Sequence, residues 1–228
     1  MVHIIFIISV FAILYSYFGY PLSLYIISLI RVKNHNSKII YPRVSMIVTA
    51  FNEKERIREK IENILSIAYP KDKIEIIIAS DGSTDGTNEI ISDYAGKGIH
   101  LLPIPFRGGK ESAQKEAVKQ STGEILVFSD VSTMIEPNGI EEIVSNFADP
   151  EVGCVSSRDL VIGPDGKAGG EGYYVRYEMW LRRLESRVSS LVGLSGSFFA
   201  ARRVVCENLA EDLDSDFRTL LNSVKAGK

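Results

Sequence analysis

The feature that most constrains this chain is an alternation of short apolar, β-branched runs with stretches of helical periodicity. "RVSMIVTAF", "IEIIIAS", the weaker "IHLLPI", "EILVFS" and "VGCVSS" read as strands. Between them "EKERIREKIENILSIA", "TNEIISDYA", "KESAQKEAVKQ" and "NGIEEIVSNFA" read as helices, the first with Ile57, Ile61, Ile64, Leu65 and Ala68 on one face. Tyr69-Pro70 predicts the end of that helix, since a residue before proline is held out of the helical region. The order βαβαβαβαβ defines an α/β fold with a mostly parallel sheet covered by helices on both faces.

In such a sheet the carboxyl ends of the strands share one edge, where open α/β folds place their ligands. Three strands deliver polar groups there: "TAFNE" (Thr49 to Glu53), "SDGSTD" (Ser80 to Asp85) and "FSDVST" (Phe128 to Thr133). Glu53, Asp81 and Asp130 are therefore expected to converge on one crevice. Like charges held together need neutralising. An oxygen-only site without histidine suits Mg²⁺ or Mn²⁺ holding a diphosphate. Asp85 and Thr87 fit a turn and a helix cap equally well. In "FRGGKESAQKEA", Gly108-Gly109 allow close backbone approach, and Lys110 opens a helix whose amino end favours phosphate; a plain Gly-Gly turn before a surface helix is the alternative. The stretch does not match a Walker P-loop. Further on, "NLAEDLDSDFRTLLNSV" predicts a helix burying Leu213, Phe217, Leu220, Leu221 and Val224. Glu211 and Asp212 stand at its start, where the dipole stabilises anions and keeps a general base ionised.

With 228 residues, 45% of them hydrophobic, the chain suffices for one or two domains with a sizeable core. A net charge of −3 without a Lys/Arg tract argues against nucleic acid as a partner. Cys154 and Cys206 are too few for a disulfide framework or a thiolate zinc site, and His3, His35 and His100 lack metal-ligand spacing. From Val2 to Ile30 there is no Asp, Glu, Lys or Arg, enough for a transmembrane helix over residues 1–30. The aromatics Tyr15, Tyr17, Phe18 and Tyr20 with Gly19 and Pro21 suggest a kink or an interfacial break. Arg31, Lys33 and Lys38 follow directly, which by the positive-inside rule places the rest of the chain on the cytosolic side of the membrane. Residues 31–42 read as a polar linker, and 43–228 as the α/β domain.

The glycine-rich "GPDGKAGGEG" (163–172) is expected to form a mobile lid. After it, "YYVRYEMWLRRLESRVSSLV" carries Tyr173, Tyr177, Trp180, Leu181, Leu184 and Val188 on one helical face, with Arg176, Arg183 and Arg187 elsewhere. Core packing accounts for such a stripe, and a helix lying in a membrane interface is the second possibility.

"VTAFNE", "SDGSTDGT", "GGKESA", "EILVFSDVST", "FADPEVGCVSS", "GLSGSFFAARR" and "AEDLDSDFR", in that order, together resemble the membrane-associated family 2 glycosyltransferases over residues 15–228. The resemblance implies a GT-A fold and an inverting transfer of one sugar from a nucleotide sugar, usually a UDP-sugar, to a glycan or lipid-linked acceptor. It implies that Ala50, Phe51 and Glu53 hold the nucleobase and ribose, that Asp81 is a partner of the base, and that Lys110 lies by the pyrophosphate. Asp130 resembles the first Asp of the D-x-D metal motif. Ser195, Gly196 and Ser197 resemble the acceptor-side loop, beside Glu211, and Asp212 resembles the general base. Ser132 stands where the second Asp of D-x-D would be, which leaves Asp130 to hold the metal with diphosphate and water. The Gln-x-x-Arg-Trp motif and further membrane helices of processive members do not occur before Lys228, so a truncated copy is expected, or a catalytically impaired module that binds nucleotide or a partner synthase.

Overall fold

The computed structural model describes residues 1–31, 36–158, 160, 173–207 and 214–228. Glu211, Asp212 and the expected lid at 163–172 lie outside the described residues. The chain divides into two compact units, Met1–Asn34 with Leu160–Val192, and His35–Asp159 with Gly193–Lys228.

In the first unit, α1 (Val2–Leu14) continues through a π-helical turn, Tyr15–Gly19, into α2 (Tyr20–Ile30). The whole of Val2–Ile30 is one helix long and apolar enough to cross a membrane. No residue of α1 is buried in the protein, as expected for a surface that faces lipid. The irregularity expected at Gly19-Pro21 is this π turn, a usual form of helix accommodation. Pro21 has no N–H to offer the Tyr17 carbonyl four residues back. The Tyr177 hydroxyl donates to that carbonyl instead, at 3.0 Å.

Tyr177 belongs to the helix over Tyr173–Val188, which packs against α2. The core stripe expected there is corrected: Leu184 is buried, but Tyr173 is 92% and Trp180 42% exposed. A helix resting on one neighbour covers only a narrow strip, and here the strip includes a carboxylate. Glu185, itself buried, accepts from the Tyr20 hydroxyl at 3.0 Å and the Val192 amide at 3.3 Å.

The second unit is built on a six-stranded sheet of β1 (Val44–Ala50), β2 (Ile74–Asp81), β3 (Ile99–Ile104), β4 (Ile125–Asp130), β5 (Cys154–Ser156) and β6 (Phe198–Arg202), in the order β3-β2-β1-β4-β6-β5. β1 to β4 are parallel. β6 joins β4 antiparallel, and β5 joins β6 antiparallel at the edge, so the strand expected to extend the parallel series does not. The cause is β6, whose "FFAAR" run takes the place beside β4.

One face of the sheet is covered by α3 (Ile57–Leu65), α4 (Thr87–Ser92) and α6 (Gly139–Ser145), which bury Ile57, Ile61, Ile64, Ile91, Ile140 and Val144 against Met46, Val48, Ile78 and Val127. The helix at α3 is shorter than expected: it stops at Leu65, and Ala68 is exposed, its amide bound to the Pro137 carbonyl at 2.8 Å. On the other face lies α5 (Lys110–Gln120), with Ala113 and Ala117 fully buried. Numbering in chain order makes the Tyr173–Val188 helix α7; α8 (Arg203–Cys206) and α9 (Ser215–Lys225) close the chain. The buried face of α9 is Ser215, Thr219, Leu220 and Ser223, while Phe217 and Val224 are exposed, contrary to the expected stripe. Small hydroxyl residues let this helix come in close: a Cβ on Gly153 would collide with Ser223 Oγ.

At the amino end of the strands, Glu75 accepts from the Ser45 hydroxyl, the Thr122 amide and the Gly123 amide, the last at 3.2 Å, and so ties β1, β2 and the entry to β4 together. Burial by itself would raise the pKa of this carboxyl, but these donors outweigh it and hold it below the usual carboxylate range. A depressed folded-state pKa contributes stability at neutral pH that is lost as pH falls through it. Glu75→Gln is expected to cost about 1 kcal/mol at pH 7, with the difference in urea midpoint narrowing towards pH 3. A gap independent of pH would contradict it.

Candidate active site

The carboxyl edge of the parallel strands carries the expected polar groups, and backbone geometry fixes each loop. After Ala50, buried at 3% exposure, β1 turns out through Phe51 and Asn52, the latter at φ 51°. Asn52 and its neighbours are latched to the loop after β2. The Asn52 amide donates to Ser83 Oγ at 3.1 Å, and its side-chain oxygen accepts from the Thr84 amide at 2.9 Å. The Glu53 amide donates to Thr87 Oγ1 at 2.9 Å, and the Lys54 amide to Asp85 at 3.0 Å. Asp85 also accepts from the Thr87 amide at 3.0 Å, a turn contact ahead of α4, whose N-cap is Gly86.

Asp81 is 4% exposed, and its two oxygens accept from the Gly108 and Gly109 amides, both at 2.8 Å. It therefore shapes the loop that leads into α5. That loop also needs its glycines. Gly109 sits at φ +93, and a Cβ on Gly82, at φ +68, would fall 2.8 Å from the Arg107 nitrogen. The held loop lays the Arg107 guanidinium 3.9 Å from the centre of the Phe51 ring, a cation–π pair on the rim of the edge.

Asp130 lies on the other side of β1. In register Thr49 is level with both Ala79 and Asp130, so Asp81 and Asp130 are two strands apart, about 10 Å at the usual strand spacing. Glu53, Asp81 and Asp130 all stand at this edge, as expected, but among the described residues no group of three or more His, Cys, Asp or Glu is placed to share a metal. Each carboxylate has its own protein partner. Glu53 pairs with Arg56 at 3.4 Å, Asp81 with two amides, and Asp130 with Lys110 at 2.6 Å.

What surrounds Asp130 is set by β6. The Asp130 amide donates to the Ser197 carbonyl at 3.0 Å, which brings the Ser195–Ser197 loop against the end of β4. Lys110 Nζ then meets two oxygens at once, Asp130 Oδ1 at 2.6 Å and the Gly196 carbonyl at 2.8 Å. Two hard oxygens that already hold a cation suit Mg²⁺ or Mn²⁺ chemically. Ser132 is exposed and Thr133 closes a turn back to the Asp130 carbonyl at 3.2 Å.

Three residues here escaped the sequence reading. Arg107 carried no pattern of its own. Asp216, in the first turn of α9, lies beside the Ser195–Ser197 loop, since a Cβ on Gly196 would be 3.2 Å from its Oδ2. Lys60 had a signal: three residues after Ile57 and four before Ile64, it occupies the buried face of α3. It is fully buried, donating to Ser129 Oγ at 2.8 Å and to the Thr133 carbonyl, so it pins both sides of the Asp130 turn. Burial drives its pKa down to about 7, with the nearby Asp130 charge opposing the fall. Between pH 7 and the ordinary lysine range the unfolded chain binds more protons than the folded one, so stability through this group rises with pH. Wild type is expected to gain on Lys60→Met by up to about 1.4 kcal/mol per pH unit in denaturant unfolding from pH 7 to 9. A constant difference would contradict the lowered pKa of Lys60.

A parallel sheet with nucleotide-type loops on its carboxyl edge and an antiparallel strand set against the Asp130 turn defines a GT-A-type transferase fold. The chain belongs to the glycosyl transferase family 2, whose family model matches residues 45–209. It is similar to a mannosyltransferase of Pyrobaculum calidifontis solved in complex with GDP-Man and Mn²⁺, with a TM-score of 0.77 and 28% identity over 95% of this chain and 63% of that one. It is 31% identical over 134 residues to the glycosyltransferase AglE of Haloferax volcanii, covering 58% of this chain and 44% of that protein. It is 26% identical over 206 residues to the beta-monoglucosyldiacylglycerol synthase of a Synechocystis species, covering 84% of this chain and 43% of that protein. The chain thus spans less than half the length of these curated relatives.

Proposed function

We propose that this chain moves a sugar from a nucleoside diphosphate sugar, with UDP as the expected nucleotide, to a glycan or lipid-linked acceptor at the cytosolic membrane face. The observation that carries this is the meeting of Lys110, Asp130 and the Gly196 carbonyl at the strand edge, next to the latched loops of Phe51 and Asp81. In this reading Ala50, Phe51 and Glu53 border the nucleoside, and Asp81 acts by shaping the Gly108–Gly109 loop beside it. Lys110 neutralises the diphosphate. Asp130 and the Gly196 carbonyl would hold a divalent cation, which when bound supplies charge stabilisation for the departing diphosphate. Asp212 takes the proton of the acceptor hydroxyl as it attacks the anomeric carbon opposite the diphosphate, which inverts the configuration there. Ser195, Gly196, Ser197 and Glu211 flank the acceptor.

Similarity to an enzyme crystallised with GDP-Man and Mn²⁺ supports the donor class, and similarity to a glycolipid synthase supports a lipid-linked acceptor. The helix Val2–Ile30 and the exposed Tyr173 and Trp180 of α7 support a chain attached to a membrane. Calorimetric titration of UDP and of GDP into the detergent-solubilised chain, with Mn²⁺ and with EDTA, tests the proposal. Metal-dependent binding of UDP in preference to GDP is expected. Absence of binding by either nucleotide to folded protein would overturn it.

A further inference from the structure

Helix α7 carries a face that the proposed sugar transfer does not use. Tyr173, Arg176, Trp180, Arg183 and Arg187 are all exposed and follow one another at intervals of three, four, three and four residues, the spacing of one helical face. No carboxylate of α7 opposes it, since Glu185 is buried against the Tyr20 hydroxyl and Glu178 pairs with Arg182 at 3.1 Å. Among the described residues none of these three arginines has an ion pair or hydrogen bond.

The span against which α7 packs decides what such a face meets. Val2–Ile30 is 29 residues, about 43 Å of helix, against a hydrocarbon core of about 30 Å. A usual tilt of about 20° takes up only about 3 Å of the excess, so the rest lies among headgroups. Protein covers only the second half of the span. No residue of α1 is buried, whereas α2 buries Pro21 and Ser28 and packs against α7, and Tyr177 reaches the Tyr17 carbonyl at 3.0 Å. Three guanidinia are costly in hydrocarbon, and Trp and Tyr favour the headgroup layer. Both requirements put this face of α7 at the level of the lipid phosphates.

We propose that the face is a docking surface for anionic phospholipid, in which Arg176, Arg183 and Arg187 take lipid phosphates while Tyr173 and Trp180 rest at the acyl boundary. A planar guanidinium grips phosphate with two parallel hydrogen bonds, and a negatively charged leaflet adds attraction at every basic residue. The inference rests on the membrane attachment in the proposed function. It adds a preference for lipid charge, which an apolar span alone does not confer.

Trp180 is the only tryptophan of the chain, so its energy transfer to dansyl-labelled lipid reports the lipid around it. The full chain is reconstituted in phosphatidylcholine vesicles with a trace of labelled phosphatidylglycerol or labelled phosphatidylcholine. The anionic lipid is expected to be enriched by about fivefold or more, since one basic residue at the surface is worth about that factor. Raising salt from about 0.1 M to about 1 M, which shortens the Debye length from about 10 to about 3 Å, should remove most of the preference. The triple variant Arg176→Gln, Arg183→Gln, Arg187→Gln should lose most of it at low salt, with a remainder due to Arg31 at the end of the span. The corresponding Arg→Lys triple variant should keep most of it, and neither that arm nor the salt arm depends on the glutamine variant folding. Wild type held by the vesicles with no preference between the two lipids would sink the proposal and leave the attachment standing. So would a preference that survives intact in the glutamine variant, which would assign it to Arg31. Emission that is blind to lipid charge but shifts on dilution into excess lipid would give the face to a second copy of the chain, against the proposal. A chain stripped from the vesicles by alkaline carbonate would refute the attachment as well. None of these readings involves nucleotide, so failure of the donor site is seen separately, by UDP titration.

Discussion

Asp130→Ala is expected to abolish Mn²⁺-dependent UDP binding and to lower sugar transfer by about a thousandfold. Asp130 Oδ1 and the Gly196 carbonyl are the two oxygens that meet at the Lys110 ammonium, and Asp130 supplies the only negative charge of that pair. The position two residues on is the exposed Ser132, a hydroxyl that cannot replace a carboxylate as a charged ligand. In a chain with a complete D-x-D pattern the second Asp would retain part of the site, whereas here the loss should be nearly complete. The variant should still fold. The ion pair it breaks is partly exposed and contributes at most about 1 kcal/mol, and the turn itself is pinned from beneath by Lys60 through Ser129 and the Thr133 carbonyl. Titration of UDP with Mn²⁺ and with EDTA, on protein whose unfolding curve matches wild type, makes the test. Metal-dependent binding that survives in Asp130→Ala would remove Asp130 from the metal role.

The strands β1 to β4 and helix α5 were legible because each is a short apolar run or a periodic stretch bounded by Gly, Pro or a polar cluster, signals that act over a few residues. β6 was not, although "GLSGSFFAARR" stood out as a motif. Nothing local says that a five-residue strand after Ser197 will insert antiparallel beside β4, and that pairing is what brings Gly196 to Asp130. The same gap covers the detail around the three carboxylates: their position at the strand ends was legible, whereas the strand order that separates Asp81 from Asp130 by the width of β1, and the near partner each carboxylate takes, were not. Lys60 shows a different failure. Its spacing placed it on the buried face of α3, and only the expectation that lysine stays in water kept it out of the core. The stripe on α7 was read with the right period, but Tyr173 and Trp180 on it are exposed and not packed in a core.

Asp212→Asn is expected to lower transfer by a factor of about 10² to 10⁴ while leaving UDP affinity within about twofold of wild type. In sequence Asp212 immediately precedes α9, and the first turn of that helix lies close to the Ser195–Ser197 loop proposed to face the acceptor, a Cβ on Gly196 falling 3.2 Å from Asp216 Oδ2. A base on the acceptor side acts on the attacking hydroxyl and not on the nucleotide, which is why turnover and donor binding should separate. Asp216 is the natural competitor for the role. Its Oδ1 already accepts from the Phe217 amide at 2.8 Å, the arrangement of a helix-start residue, so Asp216→Asn is expected to retain most of the turnover. The pH profile gives a second reading: wild-type kcat should fall on the acid side as the base is protonated, and the residual rate of Asp212→Asn should lose that limb. If Asp216→Asn is the variant that loses both turnover and the acid limb, the base is Asp216. If wild type binds UDP with Mn²⁺ yet transfers no sugar to glycan or lipid acceptors, neither carboxylate acts as a base in this chain, and a nucleotide-binding module without turnover becomes the better description.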